Sequence, residues 1–365
     1  MVRHVVCAFA LTAIIVFLAA CSETAVAPTQ SLFSDTTSVD PDHYKRVPLI
    51  GQVDLPYDHQ SHPEYQLEWW YLTSVMQDNQ GNRYPFQFTL FRVGLTQSDT
   101  SLWHDNQLWI GHASLHTPRG HFFEERFARG MVGNASVKPN PFEAYIDDWQ
   151  WTAQRQQLTP STLDLQFNQG PKLRLQIDNS GPYIKHQHSG VSIKSSDGEV
   201  RSFYYSAPFL SLTGDIQFSE KQTTVNGQGW FDHEWSTELV DNHVSGWDWF
   251  SLHLDNGEKL MVFRLHSTHG EPHINGTFIS ANGEQIQLDK HNIQLQINKT
   301  ERIDGRKHPV EWHISMPSKR LDIDVKPLYP KQYNEGVLGY YEGGIEVSGS
   351  HSGYGFLELT GYATP

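Results

Sequence analysis

The chain has 365 residues, and 27 Lys and Arg against 41 Asp and Glu give a formal net charge of −14. That balance argues against nucleic acid as a partner and against a broad electrostatic hold on anionic lipid. Trp 11, Tyr 15 and Phe 19 are a heavy aromatic load for a chain that is only 19% charged.

Residues 1–20 read as a lipoprotein signal peptide. Arg3 and His4 form a short basic start, residues 5–20 are apolar apart from Thr12, and Leu18, Ala19, Ala20 and Cys21 form a lipobox. Cleavage before Cys21 and lipidation of its thiol would anchor the chain to a membrane. Ser22 after the cysteine fits export onward to the outer membrane, so the expected location is the bacterial cell envelope, facing the periplasm. The other cysteine, Cys7, lies in the leader, so the mature chain has no disulfide and depends on its core.

Residues 21–44 are a polar tether. Period-two alternation then predicts strands at 68–73, 84–93, 108–115, 121–127, 145–152, 162–168, 172–177, 190–193 and 200–205. A second unit begins at Leu212, with strands at 223–230, 246–254, 259–266, 273–280, 286–296, 310–316, 321–327, 343–348 and 355–362. No convincing amphipathic helix interrupts the first half. The expected fold class is all-β: two consecutive lipocalin-like antiparallel β-barrel domains, at 45–211 and 212–365. An internal echo supports two related units. Trp69, Trp70 and Tyr71 precede a Gly-containing turn and Phe91-Arg92; Trp247, Asp248 and Trp249 precede another and Phe263-Arg264. Arg92 and Arg264 are each expected to pair with a carboxylate, with Glu68 the candidate for Arg92.

The stretch 227–263 concentrates the chemistry. Trp230, Trp235, Trp247 and Trp249 surround Asp232, His233, Glu234 and Asp248. Strand alternation places Asp232 and Glu234 on one face and His233 on the other. It also places Asp248 with Phe250 and Leu252, opposite Trp247 and Trp249, ahead of an Asn256-Gly257 turn. Facing inward, Asp248 is a carboxyl whose burial favours the protonated form, which suits a proton donor; facing outward, it is an ordinary surface acid. His233 and Trp235 also read as satisfied core residues. Glu68, Trp69, Trp70, Tyr71, Arg92, His112, Tyr204, Tyr205, Trp249 and Arg264 are candidate ligand contacts, set against simple aromatic packing. No HExxH motif or other compact ligand spacing suggests a metal, and no nucleophile elbow selects a serine. No cofactor is expected.

These motifs resemble the carotenoid 1,2-hydratase (hydroxyneurosporene synthase) family and its secreted, lipocalin-like or AttH-like relatives. The marks are EWWYLTS at 68–74, FQFTLFR at 86–92, GHASL at 111–115, YYSAPFL at 204–210, GWFDHEW at 229–235, GWDWFSLHLDNG at 246–257, YYEGGIEVSG at 340–349 and GYGFLELTGY at 353–362. The resemblance implies two lipocalin-like barrels with room inside for one apolar ligand. It implies acid-catalysed hydration of an isolated alkene, with aromatic faces steadying the cation. Carried over, Asp232 or Asp248 would be the acid, His233 would orient it or activate water, and Trp235 and Trp247 would steady the cation. The alternatives are a carrier of a hydrophobic or amphipathic small molecule that leaves it unchanged, and an envelope scaffold.

Overall fold

The computed structural model describes residues 43–95, 106–155, 157–195, 197–238, 244–303 and 305–362. The signal peptide, the lipidation site Cys21 and nearly all of the tether lie outside the described residues. Apart from single 3₁₀ turns at Tyr57–His59 and Pro317–Lys319, the regular structure among the described residues is strand.

The first sheet takes β1 (Leu67–Asp78), β2 (Arg83–Gly94), β3 (Gln107–Thr117), β4 (Gly120–Arg129), β5 (Ala135–Pro139), β6 (Phe142–Ile146) and β7 (Trp149–Ala153). It continues with β8 (Ser161–Gln166), β9 (Lys172–Asn179), β10 (Ile184–Lys185), β11 (Val191–Ile193), β12 (Arg201–Phe218) and β13 (Lys221–Ser236). The second sheet takes β14 (Val244–Leu254), β15 (Lys259–Ser267), β16 (His273–Ile279), β17 (Gln285–Asp289) and β18 (Gln294–Ile303). It ends with β19 (Arg306–Met316), β20 (Leu321–Pro327), β21 (Tyr333–Asn334), β22 (Tyr340–Gly349) and β23 (Gly353–Leu359).

In the first sheet the antiparallel order is β4-β3-β2-β1-β13-β12-β9-β8-β7-β6-β5, so β13 returns to pair with β1. The sheet curls into a nearly closed barrel, and side chains rather than a ladder span the gap. Gly111 of β3 lies so near β6 that a Cβ there would come 2.7 Å from Ile146 Cγ2. Arg126 of β4 lies 4.0 Å over the Trp149 ring and donates to the Gln166 carbonyl at 3.2 Å. The interior is filled: Phe86, Phe88, Leu90, Trp149, Trp151 and Phe231 are wholly buried in one apolar cluster. The second sheet, β17-β16-β15-β14-β23-β22-β20-β19-β18, is a half-barrel around Phe250, Val262, Trp312 and Leu357. Together these are the two lipocalin-like units.

Four expectations change. The boundary at 211/212 falls inside β12; both β12 and β13 belong to the first sheet, and the second begins at Val244. Strand 223–230 therefore closes the first unit instead of opening the second. β12 runs through Pro208 by a register shift between Ala207 and Leu210, where no ladder donor is needed. The strand predicted at 145–152 is two strands, because Asp147 adopts a φ of 53 and turns the chain between β6 and β7. The strand predicted at 286–296 is likewise divided between β17 and β18, because the Asn292 and Ile293 amides turn back onto the Asp289 carbonyl.

The outer faces of the two units pack against each other. Tyr71, Val75, Tyr204 and Trp230 from the first sheet share an apolar cluster with Trp249, Met261, Phe263 and Phe356 from the second. Alternation makes this possible. The residues between them in sequence, such as Trp70, Leu72, Phe231 and Leu357, serve the two interiors.

Candidate functional site between the two sheets

Four carboxyl groups meet where the outer faces join. Asp232 of β13 is 2% exposed and accepts hydrogen bonds from Tyr204 Oη at 2.9 Å, Trp230 Nε1 at 2.7 Å and the Ser206 hydroxyl. Burial pushes its carboxyl up to about 7, against the opposing effect of those donors. Glu358 of β23 is half-buried and accepts one hydrogen bond from Trp247 Nε1 at 2.9 Å. Burial also raises Glu358 to about 7, with the nearby Asp232 and Glu234 adding to the effect. Directly across the ladder, Glu342 of β22 is 1% exposed. It accepts from the Tyr71 hydroxyl and, at 3.0 Å, from Asn334 Nδ2. Burial and the facing Glu358 hold Glu342 well above the usual carboxylate range. The fourth acid, Glu234, is neutralised by Lys194 at 2.8 Å, whose ammonium also lies 4.3 Å over the Phe263 ring.

Aromatic groups surround this cluster. The Trp249 indole donates to Tyr204 Oη at 3.3 Å, and its ring meets Tyr71 edge-on at 5.2 Å. Trp69, Trp247 and Tyr340 are half-buried around the same acids. His112 of β3 joins Tyr340 to Glu125, with Nδ1 3.1 Å from Tyr340 Oη and Nε2 3.0 Å from Glu125. The cluster thus combines proton-bearing carboxyls with π faces, the pairing that stabilises a positive charge formed on an apolar molecule.

A different buried network occupies one end of the first barrel. Glu68 is fully enclosed and contacts Arg92 Nε at 2.8 Å, His62 Nδ1 at 2.7 Å and His233 Nε2 at 3.0 Å. Arg92 spends its remaining donors on Gln107 and on the carbonyls of His62 and Tyr65. Burial would raise Glu68, but Arg92 and His62 outweigh it and hold the carboxyl well below its ordinary range. Burial pushes His62 down, and the Glu68 carboxylate overrides this to bring it to about 9. Trp235 stacks on His62 at 4.0 Å, Trp70 stacks on His233 at 4.6 Å, and Tyr205 Oη sits 2.7 Å from His59. Ligand atoms of His62, Glu68 and His233 lie within 4.8 Å of one another, but they already bond to each other, and the Arg92 guanidinium opposes a second cation there. Glu68, Trp70, Arg92, Tyr205, His233 and Trp235 therefore form a satisfied internal ion network.

Asp248 lies in a third place. It is wholly buried on the inner face of the second sheet, 2.7 Å from Arg264 Nε, 3.0 Å from His266 and 2.5 Å from Tyr362 Oη. Arg264 in turn lies 4.7 Å over Trp312. The structure thus divides the expected catalytic set. Asp232 and Trp247 share the junction, His233 and Trp235 are inside the first barrel, and Asp248 is locked in an ion pair inside the second. Of the candidate ligand contacts, Trp69, Tyr71, His112, Tyr204 and Trp249 reach the junction, whereas Glu68, Trp70, Arg92, Tyr205 and Arg264 do not.

The AttH-like family matches residues 48–362. The chain belongs to the AttH-like family. A crystal structure of an AttH from Nitrosomonas europaea superposes with a TM-score of 0.76 at 25% identity, covering 87% of this chain and 99% of that one. Kievitone hydratase from Nectria haematococca superposes with a TM-score of 0.65 at 15% identity, covering 88% of this chain and 96% of its own, which shows a shared fold. No curated protein sequence matches the chain.

In this AttH-like chain, the acids that sequence reasoning missed are Glu342 and Glu358, both inside the quoted C-terminal motifs. A signal was present. Glu342 is out of phase with the core residues Tyr341, Ile345 and Val347, and Glu358 sits between Leu357 and Leu359. An acid on the face opposite the core reads as solvent-exposed unless a second sheet is known to cover it. Lys194 and His186 were likewise unmarked. His186 bridges the sheets, with Nε2 2.7 Å from Ser206 Oγ and Nδ1 2.8 Å from Thr277 Oγ1.

Proposed function

We propose that the chain catalyses acid-promoted addition of water to an unsaturated, uncharged small molecule, or the reverse elimination, at the junction of the two sheets. The observation that carries this reading is the pair Asp232 and Glu358, two carboxyls that burial raises to about 7 beside the indoles of Trp230 and Trp247. A carboxyl must stay protonated near neutral pH to protonate an alkene, and a buried one does so. Glu358 is the half-buried member and is assigned as the donor, and the neighbouring Asp232 and Glu234 help burial to keep its proton on. In the forward reaction its proton passes to one alkene carbon and a cation forms on the other. Water adds to that cation, and the surplus water proton returns to the Glu358 carboxylate. The indole and phenol faces of Trp247, Trp249 and Tyr71 steady the cation. That one similar fold belongs to a hydratase supports the reaction class through the shared fold alone.

The test is incubation of the protein with fractionated apolar extracts in heavy-oxygen water, followed by mass spectrometry. The expected result is a product carrying the label, with Glu358→Gln slowing its formation on the order of a hundredfold, the scale of general acid catalysis. Absence of labelled product from every fraction, or full turnover by both Glu358→Gln and Asp232→Asn, would overturn it. The lipid anchor is part of the same proposal: Cys21 holds the site at the bacterial envelope, where apolar molecules concentrate.

A further inference from the structure

Six large apolar side chains stand in solvent at one end of the first barrel: Leu49, Ile50, Leu95, Phe127, Met131 and Val132. The ladders define that end. Leu67 of β1 faces Val93 of β2 and Ser236 of β13, Val93 faces Leu108 of β3, and Leu108 faces Arg129 of β4. Leu95 directly follows β2, Met131 and Val132 follow β4, and Phe127 lies two residues from the end of β4. Leu49 and Ile50 belong to the segment strung over the same rim. Tyr44 Oη donates to the Leu95 carbonyl at 2.5 Å, Arg201 Nε donates to the Val47 carbonyl at 3.0 Å, and a Cβ on Gly51 would come 3.0 Å from the Phe203 ring. Arg201 and Phe203 open β12, where Phe203 faces Trp235 near the end of β13.

Single apolar residues on a surface are ordinary, but six gathered on one rim mark a contact surface. The other end of the barrel gives the contrast. Its β1–β2, β3–β4 and β12–β13 turns expose Gln80, Arg119 and Glu220, and none of the large apolar residues exposed among the described residues belongs to them. Met131 makes the apolar rim costly as well. Its φ of 63 is a conformation that glycine or asparagine adopts more cheaply. A methionine 63% exposed is kept there, with Val132, between Gly130 and Gly133.

We infer that this rim docks on the surface of a lipid bilayer, with its apolar side chains set among the acyl chains and the first barrel held end-on to the membrane. The chain outside the described residues says what covers the rim. Residues 22–42 join Cys21 to His43, and the next residue, Tyr44, is already bonded to Leu95 on the rim. A lipid on Cys21 therefore tethers the barrel from this end. That length of chain spans at most about 75 Å, so the lipid by itself leaves the barrel free to turn. The rim supplies the second contact that sets the orientation. A formal net charge of −14 gives no attraction to anionic lipid, so the contact is apolar and a neutral bilayer suffices. The inference rests on the anchor assigned to Cys21 and not on chemistry at the carboxyl cluster.

The experiment places the photo-reactive residue p-benzoylphenylalanine at Val132 or, as the control, at Glu220 of the full chain. Each protein is illuminated with an excess of phosphatidylcholine vesicles, and lipid adducts are counted by mass spectrometry. The yield at Val132 is expected to exceed that at Glu220 by about tenfold or more, and Ile50→Asn with Met131→Asn should cut it about tenfold, the effect of two apolar side chains that no longer leave water. Both positions are exposed, so folding is not at risk. Exchanging half of the lipid for phosphatidylglycerol should not raise the yield. Excess lipid lets the rim meet the bilayer whether or not Cys21 is modified, and detergent-phase partition of the same preparation reads the anchor separately. Equal yields at the two positions, a yield unmoved in the double variant, a yield that rises with anionic lipid, or a cross-linked pair of chains in place of the lipid adduct would each overturn the inference, the last assigning the rim to a second copy.

Discussion

Glu342 and Glu358 are direct cross-strand partners on the outer face of β22 and β23, Glu342 buried and Glu358 half-buried. Like charges in that relationship repel, so the folded protein holds at least one proton between them through the neutral range. Burial raises the Glu358 carboxyl from its ordinary 4.5 to about 7 in the folded protein. The folded state therefore binds the extra proton between those values, and stability falls as pH rises through that window. Urea titrations from pH 5 to pH 7 should show a loss on the order of 1–3 kcal/mol, and Glu358→Gln should remove much of it. A wild-type stability that rises across the same window would contradict the protonated pair.

The Glu68 network holds one group of each sign: His62 follows the same direction as Glu358, and Glu68 the opposite one. His62 is raised from 6.5 to about 9, so its contribution is present in full below 6.5 and is lost as pH climbs to about 9. Glu68 is lowered, so its contribution holds above the ordinary carboxylate range and fades only in acid. Thermal melts between pH 6.5 and pH 9 should decline in the wild type and flatten in His62→Gln. Arg92→Met leaves the enclosed Glu68 carboxylate without its main partner and should cost about 3–5 kcal/mol. A loss below 1 kcal/mol in urea would mean that the histidines alone can carry the charge.

Asp248 is predicted to be structural. Asp248→Asn weakens contacts to Arg264, His266 and Tyr362 inside the second sheet, and should destabilise the fold by roughly 2–4 kcal/mol. A variant of unchanged stability that has lost turnover would return Asp248 to the role of acid.

Tyr71 ties the sheets together by donating to Glu342 from β1. Tyr71→Phe keeps the ring against Trp249 and removes only that donor, with an expected cost of about 1–2 kcal/mol. Without the donor, the pH-dependent loss described for the Glu342 and Glu358 pair should grow. Equal urea midpoints for the two proteins at pH 7 would show that the bond contributes nothing.

The anchor proposal is tested by detergent-phase partition of the full chain expressed in a bacterium with an outer membrane. Wild type should enter the detergent phase, and Cys21→Ser should stay in the aqueous phase. Identical partition would remove the lipid from the account.

Much of the local structure was legible. Alternation in 246–254 separated Trp247, Trp249, Ser251 and His253 from Asp248, Phe250 and Leu252, and the structure keeps that division. The Asn256-Gly257 turn follows, with Gly257 at a φ of 85. The echo between Trp69-Trp70-Tyr71 and Trp247-Asp248-Trp249 also had physical content. Glu68 pairs with Arg92 across β1 and β2, as Asp248 does with Arg264 across β14 and β15. The boundary near Leu212 was not legible, because the partner of β13 is β1, and no local pattern names a partner so far away in the chain.

The sequence by itself determined which residues share a face, because a strand's side chains alternate with a period of two whatever surrounds it. Only the tertiary structure decided what each face meets. Asp232 read as a candidate acid and Glu342 and Glu358 were unmarked, and the three came together only when two outer faces were pressed against each other. Asp248 stood open between an interior proton donor and a surface acid, and it became half of a buried ion pair. A carboxyl's protonation depends on its solvent and its neighbours, and here both are supplied by strands remote in sequence.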